Sequence, residues 1–419
     1  MKQNADVCVV GGGIIGLCSA LRLQSEGVSV LLVDAATIGS GASFGNAGHL
    51  AVEQVFPVAE AAVLKHIPQM LLDPLGALRI DWRYLPKLMP WAWQLLNNMR
   101  PSRFAAIHAA LKNINSISLL AWQQFAEKWD LQDFVRVEGS LLCCETEQGV
   151  AHLQAHGKKL AEMGISTEWL PENALREREP HLAHTQKGAL LFPNTGHIVD
   201  LPAVMNTIRQ HFCELGGEVQ ENCRVWDIQH RENGVILQTE QGQIHAQNVL
   251  LATGAFSKQW VAQSTGVNVP LDTERGYHLM LPNEINKLSI PVTSLERRFI
   301  MTPMNGGLRL AGTVEYAGLH APPNMNRARN LLHLAQSMFT NPLNSHNNSE
   351  WMGFRPTTAD SLPVIDKVGR VLLNFGHQHL GLTQAVASAN ILADHYFGRQ
   401  PEISPEPYRL ARFGTPKLP

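Results

Sequence analysis

Asp6–Gly16, DVCVVGGGIIG, together with Asp34 at the end of the next apolar run, decides how this chain begins to fold. Asp6–Val10 is an apolar run of strand length, and Gly11, Gly13 and Gly16 form GxGxxG directly after it. Ile14–Glu26 has helical spacing until Gly27 stops it, and Val28–Val33 is again strand-like. Strand, helix and parallel strand predict a doubly wound α/β unit of Rossmann type. The backbone N–H groups and dipole at the start of such a helix favour a pyrophosphate. Asp34, 21 residues beyond Gly13, is placed to accept both hydroxyls of an adenosine ribose. Gly11, Gly13, Ile14, Ile15, Gly16 and Asp34 are therefore the first expected dinucleotide contacts. GxGxxG alone also describes a tight turn with close helix packing; the strand, helix, strand and acid together favour the nucleotide.

Working outward, 419 residues suffice for two domains, since single cores stop growing near about 250 to 300 residues. Hydrophobic residues make up 45% and charged residues 17%, the latter below the roughly 25% of an average soluble chain, so a globular protein with much buried surface is expected. A net charge of −2 leaves no single-sign field for a nucleic acid backbone, and nucleic acid is excluded as a partner. The six cysteines are scattered without CxxC spacing, which predicts buried thiols in a reducing compartment. The opening residues enter a strand at once, with no apolar run of about 18 residues anywhere, so a cytoplasmic protein without a membrane span is expected. His152 and His156 share a helix face without a third ligand, and no metal is expected.

Ala59–Phe104 has a different texture. Pro68, Pro74, Pro86 and Pro90 break short helical pieces that carry Trp82, Tyr84, Trp91 and Trp93. Helices are expected at Ile107–Trp129, Val150–Met163, Leu201–Leu215, Arg327–Phe339 and about Thr383–Phe397. Strands are expected at Phe134–Glu145, Val225–His230, Gly234–Thr239, Gln243–Ala252 and Val371–Phe375, with an antiparallel sheet over Pro270–Glu315. The fold class is α/β: a discontinuous Rossmann-type dinucleotide-binding domain (1–60, 148–260, 350–419) with a second α+β domain (61–147, 261–349) expected to hold the substrate.

The opening unit does not separate FAD from NAD, and Asp34 leans toward NAD. Two later segments favour FAD. Val249–Gly254, VLLATG, ends a strand in a small-residue turn, and Phe375–Thr383, FGHQHLGLT, runs a glycine loop into the last helix. FAD, whose ring system lies far from its adenosine, needs such additional contacts. The chain also resembles the D-amino acid oxidase and glycine oxidase family of FAD enzymes, especially its bacterial D-amino acid dehydrogenase branch. The resemblance rests on VVGGGIIG, SGASFGNAGHL from Ser40, ATG from Ala252, ERGYHL from Glu274, GLRLAGTVE from Gly307, GFRPTTADSLPVI from Gly353 and GHQHLGLT from Gly376, in family order. It implies noncovalent FAD, since NAGH is not a covalent-attachment pattern and the C-terminal segment has no Cys. It further implies cofactor contacts from Ser40, Ser43, Asn46, Ala47, Gly48, Val225, Thr253, Gly254, Gly381, Leu382 and Thr383.

The family places its carboxylate-binding arginine in the GxRP segment, which implies that Arg355 is the clamp. Arginine suits this role because its planar fork meets a carboxylate in two hydrogen bonds. Arg275 is a second candidate; Tyr277 faces the substrate by resemblance, or is a core tyrosine with a satisfied hydroxyl. His377 either nears the flavin edge or bonds backbone, and His49 either faces flavin and substrate or is an ordinary loop histidine. The expected reaction is oxidation of an amino or imino acid, including D-proline-type substrates, by hydride transfer from Cα to flavin N5. No second GxGxxG exists to bind NAD(P)H, so electrons leave to a quinone or another acceptor. The Trp and basic residues between Ala59 and Phe104 suit either a peripheral contact at the inner face of the membrane or a cap over the active site. The rivals are an oxygen-using oxidase of glycine, sarcosine or a small amine, and a flavin-binding partner protein without turnover.

Overall fold

The computed structural model describes residues 4–58 and 75–417. Lys65, Pro68 and Pro74 of the expected insertion lie outside the described residues.

The predicted opening is present as strand Asn4–Val10, helix Ile14–Gln24 and strand Val30–Val33, the two strands pairing in parallel. They form the centre of an eight-stranded sheet. Glu218–Gln220 pairs parallel with Val30–Val33 on one side, and Gly242–Leu251 lies parallel to Asn4–Val10 on the other. Gly242–Leu251 is long enough to serve two neighbours: its first half pairs antiparallel with Gly234–Thr239 and its last residues pair parallel with Val371–Phe375. The carboxyl ends of five parallel strands thus meet on one edge, the position where open α/β sheets place their ligands. Apolar side chains cover both faces. Helix Ile14–Gln24 packs beside the last helix, Gly381–Phe397, which in turn rests on the long helix Pro101–Lys128. Trp122 of that long helix is fully buried, and its Nε1 donates to the Leu382 carbonyl at 2.8 Å, which pins the start of the last helix.

A nine-stranded sheet forms the second half. Leu271–Leu281 lies between Ser349–Thr358 and Gly307–Tyr316, antiparallel to both. The described order continues through Phe299–Met304, Val292–Ser294, Ser140–Cys144, Gly188–Phe192 and Glu168–Pro171. The second sheet draws strands from both of the expected domains. Gly188–Phe192 and Glu168–Pro171 fall within 148–260, and all of Ser349–Thr358 but its first residue within 350–419, yet all three pair in the second sheet. The reasons are local: Gly188–Phe192 is buried along its whole length against Ser140–Cys144, and Ser349–Thr358 pairs with Leu271–Leu281 at ten successive positions.

Helix Leu85–Asn98 contains Pro90 and shows why its tryptophans differ. Trp91 is 4% exposed, packs against Tyr316 with the two rings tilted by 45°, and donates its Nε1 to the Thr357 carbonyl at 3.0 Å. It is a core residue and not a lipid contact. Trp93 is 72% exposed, in line with Met89 and Leu96 on the outer face. No helix among the described residues is long and apolar enough to cross a membrane. Cys213 is exposed, whereas the other five cysteines are buried, and all six are free.

Candidate active site

The two sheets enclose a cavity of about 1180 Å³ that runs from Asp34 to Arg355. Its first end is made of backbone. Gly11, with φ +109, turns the chain from strand into helix where a Cβ would lie 2.5 Å from the Ala252 carbonyl oxygen; at Gly16 a Cβ would lie 1.8 Å from the Gly11 carbonyl. Only glycine permits this closeness, which opens the helix N-terminus toward the cavity. Two side-chain oxygens occupy those donors: Ser43 Oγ accepts from Ile14 N at 2.9 Å, and Asp34 Oδ2 accepts from Gly12 N at 2.6 Å. They stand where phosphate oxygens of a dinucleotide would compete. Asp34, Ala35, Ala36 and Cys223–Val225 line the far end, and Ala252–Phe256 and Asn374–Leu382 complete the cradle. Asn374 is fully buried, with Nδ2 on Ser19 Oγ and Oδ1 without a partner. The elongated cavity, acid at one end and an open helix start in the middle, fits FAD.

The loop 39–47 forms a side wall. The second sheet holds it. Arg309 donates to the carbonyls of Asn46 at 2.6 Å and Phe44 at 3.3 Å, His278 Nδ1 meets the Gly45 carbonyl at 3.1 Å, and the Trp351 ring packs on Gly45 and stacks on His278. Burial pushes the Arg309 guanidinium down to about 10 and, with Arg309 beside it, holds the His278 imidazole at about 4.

The second end is made of side chains on one face of three paired strands. Arg355 stands opposite Glu274 in the ladder. One guanidinium N–H of Arg355 donates to the Thr313 carbonyl at 3.1 Å, and the group lies flat over Gly276, where a Cβ would be 2.4 Å from Nη2. Burial lowers the Arg355 pKa against the opposing pull of Glu274 and Tyr316. Burial likewise raises Glu274, whose Oε1 accepts from Tyr316 at 3.0 Å. The arrangement is a guanidinium with a nearby counter-charge, flat against backbone and open to the cavity. His377 and His49 also line the cavity, and burial pushes each imidazole down to about 3, so both are neutral at pH 7. The Nε2 atoms of both rings lack hydrogen-bond partners, and Glu53, raised to about 8 chiefly by burial, lies 3.9 Å from His49 Nε2.

Of the expected contacts, Gly11, Gly13, Ile14, Ile15, Asp34, Ser40, Ser43, Asn46, Ala47, Val225, Thr253, Gly254, Gly381 and Leu382 line the cavity, as do Arg355, Tyr277, His377 and His49. Tyr277 presents its ring, because its hydroxyl donates to Glu315 at 2.6 Å and accepts from Asn324 N at 3.1 Å. Four residues are placed elsewhere. The guanidinium of Arg275 is spent on the carbonyls of Gly318, Ala321 and Pro322 and on Glu315, fully buried, so it cannot clamp a substrate. Thr383 Oγ1 accepts from Ala51 N at 2.9 Å. Gly48 packs on Met304 and Ile198, and Gly16 is a packing glycine. Glu274, Gly276, Thr313, Trp351, Asn374 and Arg309 were not among the expected site residues. The one available signal was a charged residue inside an apolar strand, as in LRL over Leu308–Leu310.

Comparison with known proteins gives the same picture. The profile of the DAO family, FAD dependent oxidoreductase, matches residues 6–395. A D-amino-acid oxidase of Bradyrhizobium diazoefficiens is 32% identical over 425 residues, covering 99% of this chain and 100% of that protein. A D-amino acid dehydrogenase of Vibrio vulnificus is 27% identical, covering 94% and 96%. Among solved structures, glycine oxidase from Geobacillus kaustophilus shares the fold with a TM-score of 0.74 at 22% identity, over 98% of this chain and 99% of that one. L-proline dehydrogenase from P. horikoshii gives 0.72 at 17% identity, over 99% and 98%.

Proposed function

Because the chain belongs to the DAO family of FAD-dependent oxidoreductases, we propose that it oxidises the carbon–nitrogen bond of an amino or imino acid, with D-amino acids as the first class to test. The eight-stranded sheet holds the cofactor without a covalent bond, and the nine-stranded sheet holds the substrate. The observation that carries the reading is Arg355, a guanidinium open to the same cavity that reaches the dinucleotide cradle. FAD, when bound, accepts the hydride that leaves the substrate Cα. The chain's own part is positioning and electrostatics. Arg355 fixes the carboxylate and so the reach of Cα. His49 and His377, held neutral, add no positive charge beside the amine, which must be neutral when the hydride leaves. Tyr277 and Trp351 wall the substrate end.

The acceptor reading is a quinone dissolved in a bilayer. Its support is the exposed outer face of Leu85–Asn98, where Met89, Trp93 and Leu96 are flanked by the exposed basic residues Arg83, Lys87 and Arg100. A second reading, an oxygen-using oxidase, is favoured by the oxidase name of the 32% identical relative.

Both are tested on one yellow holoprotein. Under anaerobic conditions a panel of D- and L-amino acids, prolines and N-methylglycines is mixed with the enzyme and flavin bleaching is followed. Arg355→Ala should slow bleaching at low substrate by about tenfold to a hundredfold, since hydrogen bonds to charged groups contribute about 1.5 to 3 kcal/mol each. Arg355→Lys should recover part of the loss, and an amine without a carboxylate should be indifferent to both changes. Parental bleaching by an Arg355→Ala holoprotein would remove the clamp. Reoxidation by a quinone in vesicles faster than by oxygen supports the dehydrogenase; rapid peroxide formation without vesicles supports the oxidase.

A further inference from the structure

We propose that Thr313 is a positioning residue for Arg355, and that the fold holds it in a strained conformation in order to aim its carbonyl oxygen at the guanidinium. The inference rests on the reading of Arg355 as the carboxylate clamp.

The ladder between Leu271–Leu281 and Gly307–Tyr316 is regular from Leu281↔Leu308 to Tyr277↔Gly312, and resumes at Arg275↔Glu315. Two steps on one strand face three on the other, so the second strand carries one extra residue, a β-bulge. Thr313 lies inside it with φ +59. For a β-branched side chain that conformation is an outlier, and no turn requires it here. On the strand's other side the partner changes at the same point: Gly312 faces Phe299, whereas Val314 faces Leu78. The peptide of Thr313 therefore sits where it can leave the ladder.

Two costs accumulate on this residue. Its backbone is in a sparsely populated region, and its Oγ1 is buried without a hydrogen-bond partner. Neither improves packing. What they accompany is the Thr313 carbonyl, which accepts from Arg355 Nη1 at 3.1 Å. Gly276 supplies the floor under the same guanidinium and Glu274 the counter-charge across the ladder. With floor and side fixed, the remaining N–H groups of Arg355 have one direction left, toward the cavity. A regular strand in place of the bulge would point the carbonyl along the ladder and leave Arg355 free to swing.

The test uses FAD-loaded protein and propionate as probe, titrated by calorimetry and by the flavin absorbance change. Deleting Thr313 restores one-to-one pairing on both sides of the bulge. The deletion should weaken propionate binding at least about tenfold, the effect of losing one charge-assisted bond's worth of orientation. FAD content and Tm should stay near parental. In an Arg355→Ala background the deletion should add nothing. Thr313→Gly, which adopts positive φ freely, should keep propionate affinity within about twofold and raise Tm by roughly 1 to 3 °C. Parental affinity in the deletion variant, or an additive loss in the Arg355→Ala background, overturns the proposal. If the deletion does not yield folded holoprotein, Thr313→Gly decides: an unchanged or lowered Tm shows that no strain is held there and overturns it equally. Arg355→Ala with parental propionate affinity would instead sink the clamp reading itself.

Discussion

The two ends of the cavity are built by opposite means. At the dinucleotide end the working groups are backbone N–H donors, turned toward the cavity because Gly11 and Gly16 let strand and helix approach within the reach of a missing Cβ. At the substrate end they are charged side chains on three paired strands, the half-buried Arg355 and the buried Glu274 and Arg309. A backbone site depends on a short stretch of chain and tolerates no added atom. A side-chain site depends on strands distant in sequence and tolerates substitution in proportion to what each group carries. Mutations should therefore give all-or-none effects at the first end and graded ones at the second.

The largest effect should come from Gly16→Ala. Its Cβ would lie 1.8 Å from the Gly11 carbonyl, a backbone atom with nowhere to move, so helix Ile14–Gln24 must shift from its strand. The expected result is protein without bound FAD, read as the absence of flavin absorbance after purification. Yellow protein with parental FAD content would show that the first end is softer than its glycines suggest, and the contrast with the second end would fall.

An intermediate effect tests whether the ends are independent. Arg309 belongs to the second sheet but holds the carbonyls of Phe44 and Asn46 in the loop that walls the cofactor. Arg309→Met removes a buried charge, which lowers a desolvation cost, but leaves those carbonyls unpaired at about 1 to 3 kcal/mol each. FAD affinity should fall at least about tenfold with the fold intact, measured by titrating FAD into the apoprotein. Parental affinity would mean that the dinucleotide end needs nothing from the second sheet.

The same contrast explains what the sequence reveals. The opening unit is legible because GxGxxG, its helix and Asp34 lie within one βαβ stretch, and observed and expected elements differ there by a residue or two. Strands Gly234–Thr239 and Val371–Phe375 coincide with their predicted limits. The segment that contains Glu168–Pro171 and Gly188–Phe192 carries no clear periodicity, and it becomes strand through pairing, Gly188–Phe192 with Ser140–Cys144 and Glu168–Pro171 with Gly188–Phe192. Arg355 could be named through family resemblance. Its cradle could not, because Glu274, Gly276 and Thr313 come together only through the ladder, and Thr313 through an irregularity in it. Arg275 illustrates the reverse error: it shares a motif with Tyr277, but it is turned toward the Gly318–Pro322 backbone.

The smallest expected effect concerns protons, and it separates the groups at the substrate end by sign. His377 and His49 are pushed down to about 3 from an ordinary 6.5, so the unfolded chain binds more protons than the folded one between those values. Stability from this source is present above about pH 6.5 and is lost as pH falls toward 3. At pH 5 each fully shifted imidazole costs roughly 2 kcal/mol, at 1.36 kcal/mol per pH unit. Glu53 acts in the opposite direction. Its carboxyl is raised to about 8 from 4.5, so the folded state holds a proton that the unfolded state has released, and that contribution, complete below 4.5, is lost as pH rises toward 8. Apoprotein stability should therefore peak near about pH 6.5 as far as these groups decide it. His377→Gln should flatten the limb below about pH 6.5, whereas Glu53→Gln should flatten the limb above it and steepen the rise between 4.5 and 6.5. The measurement is Tm of the apoprotein against pH for parent and variants, with substrate absent so that binding does not enter. If His377→Gln leaves the acid limb as steep as in the parent, this imidazole is not held neutral by burial, and the neutral surroundings ascribed to the substrate amine would rest on His49 alone.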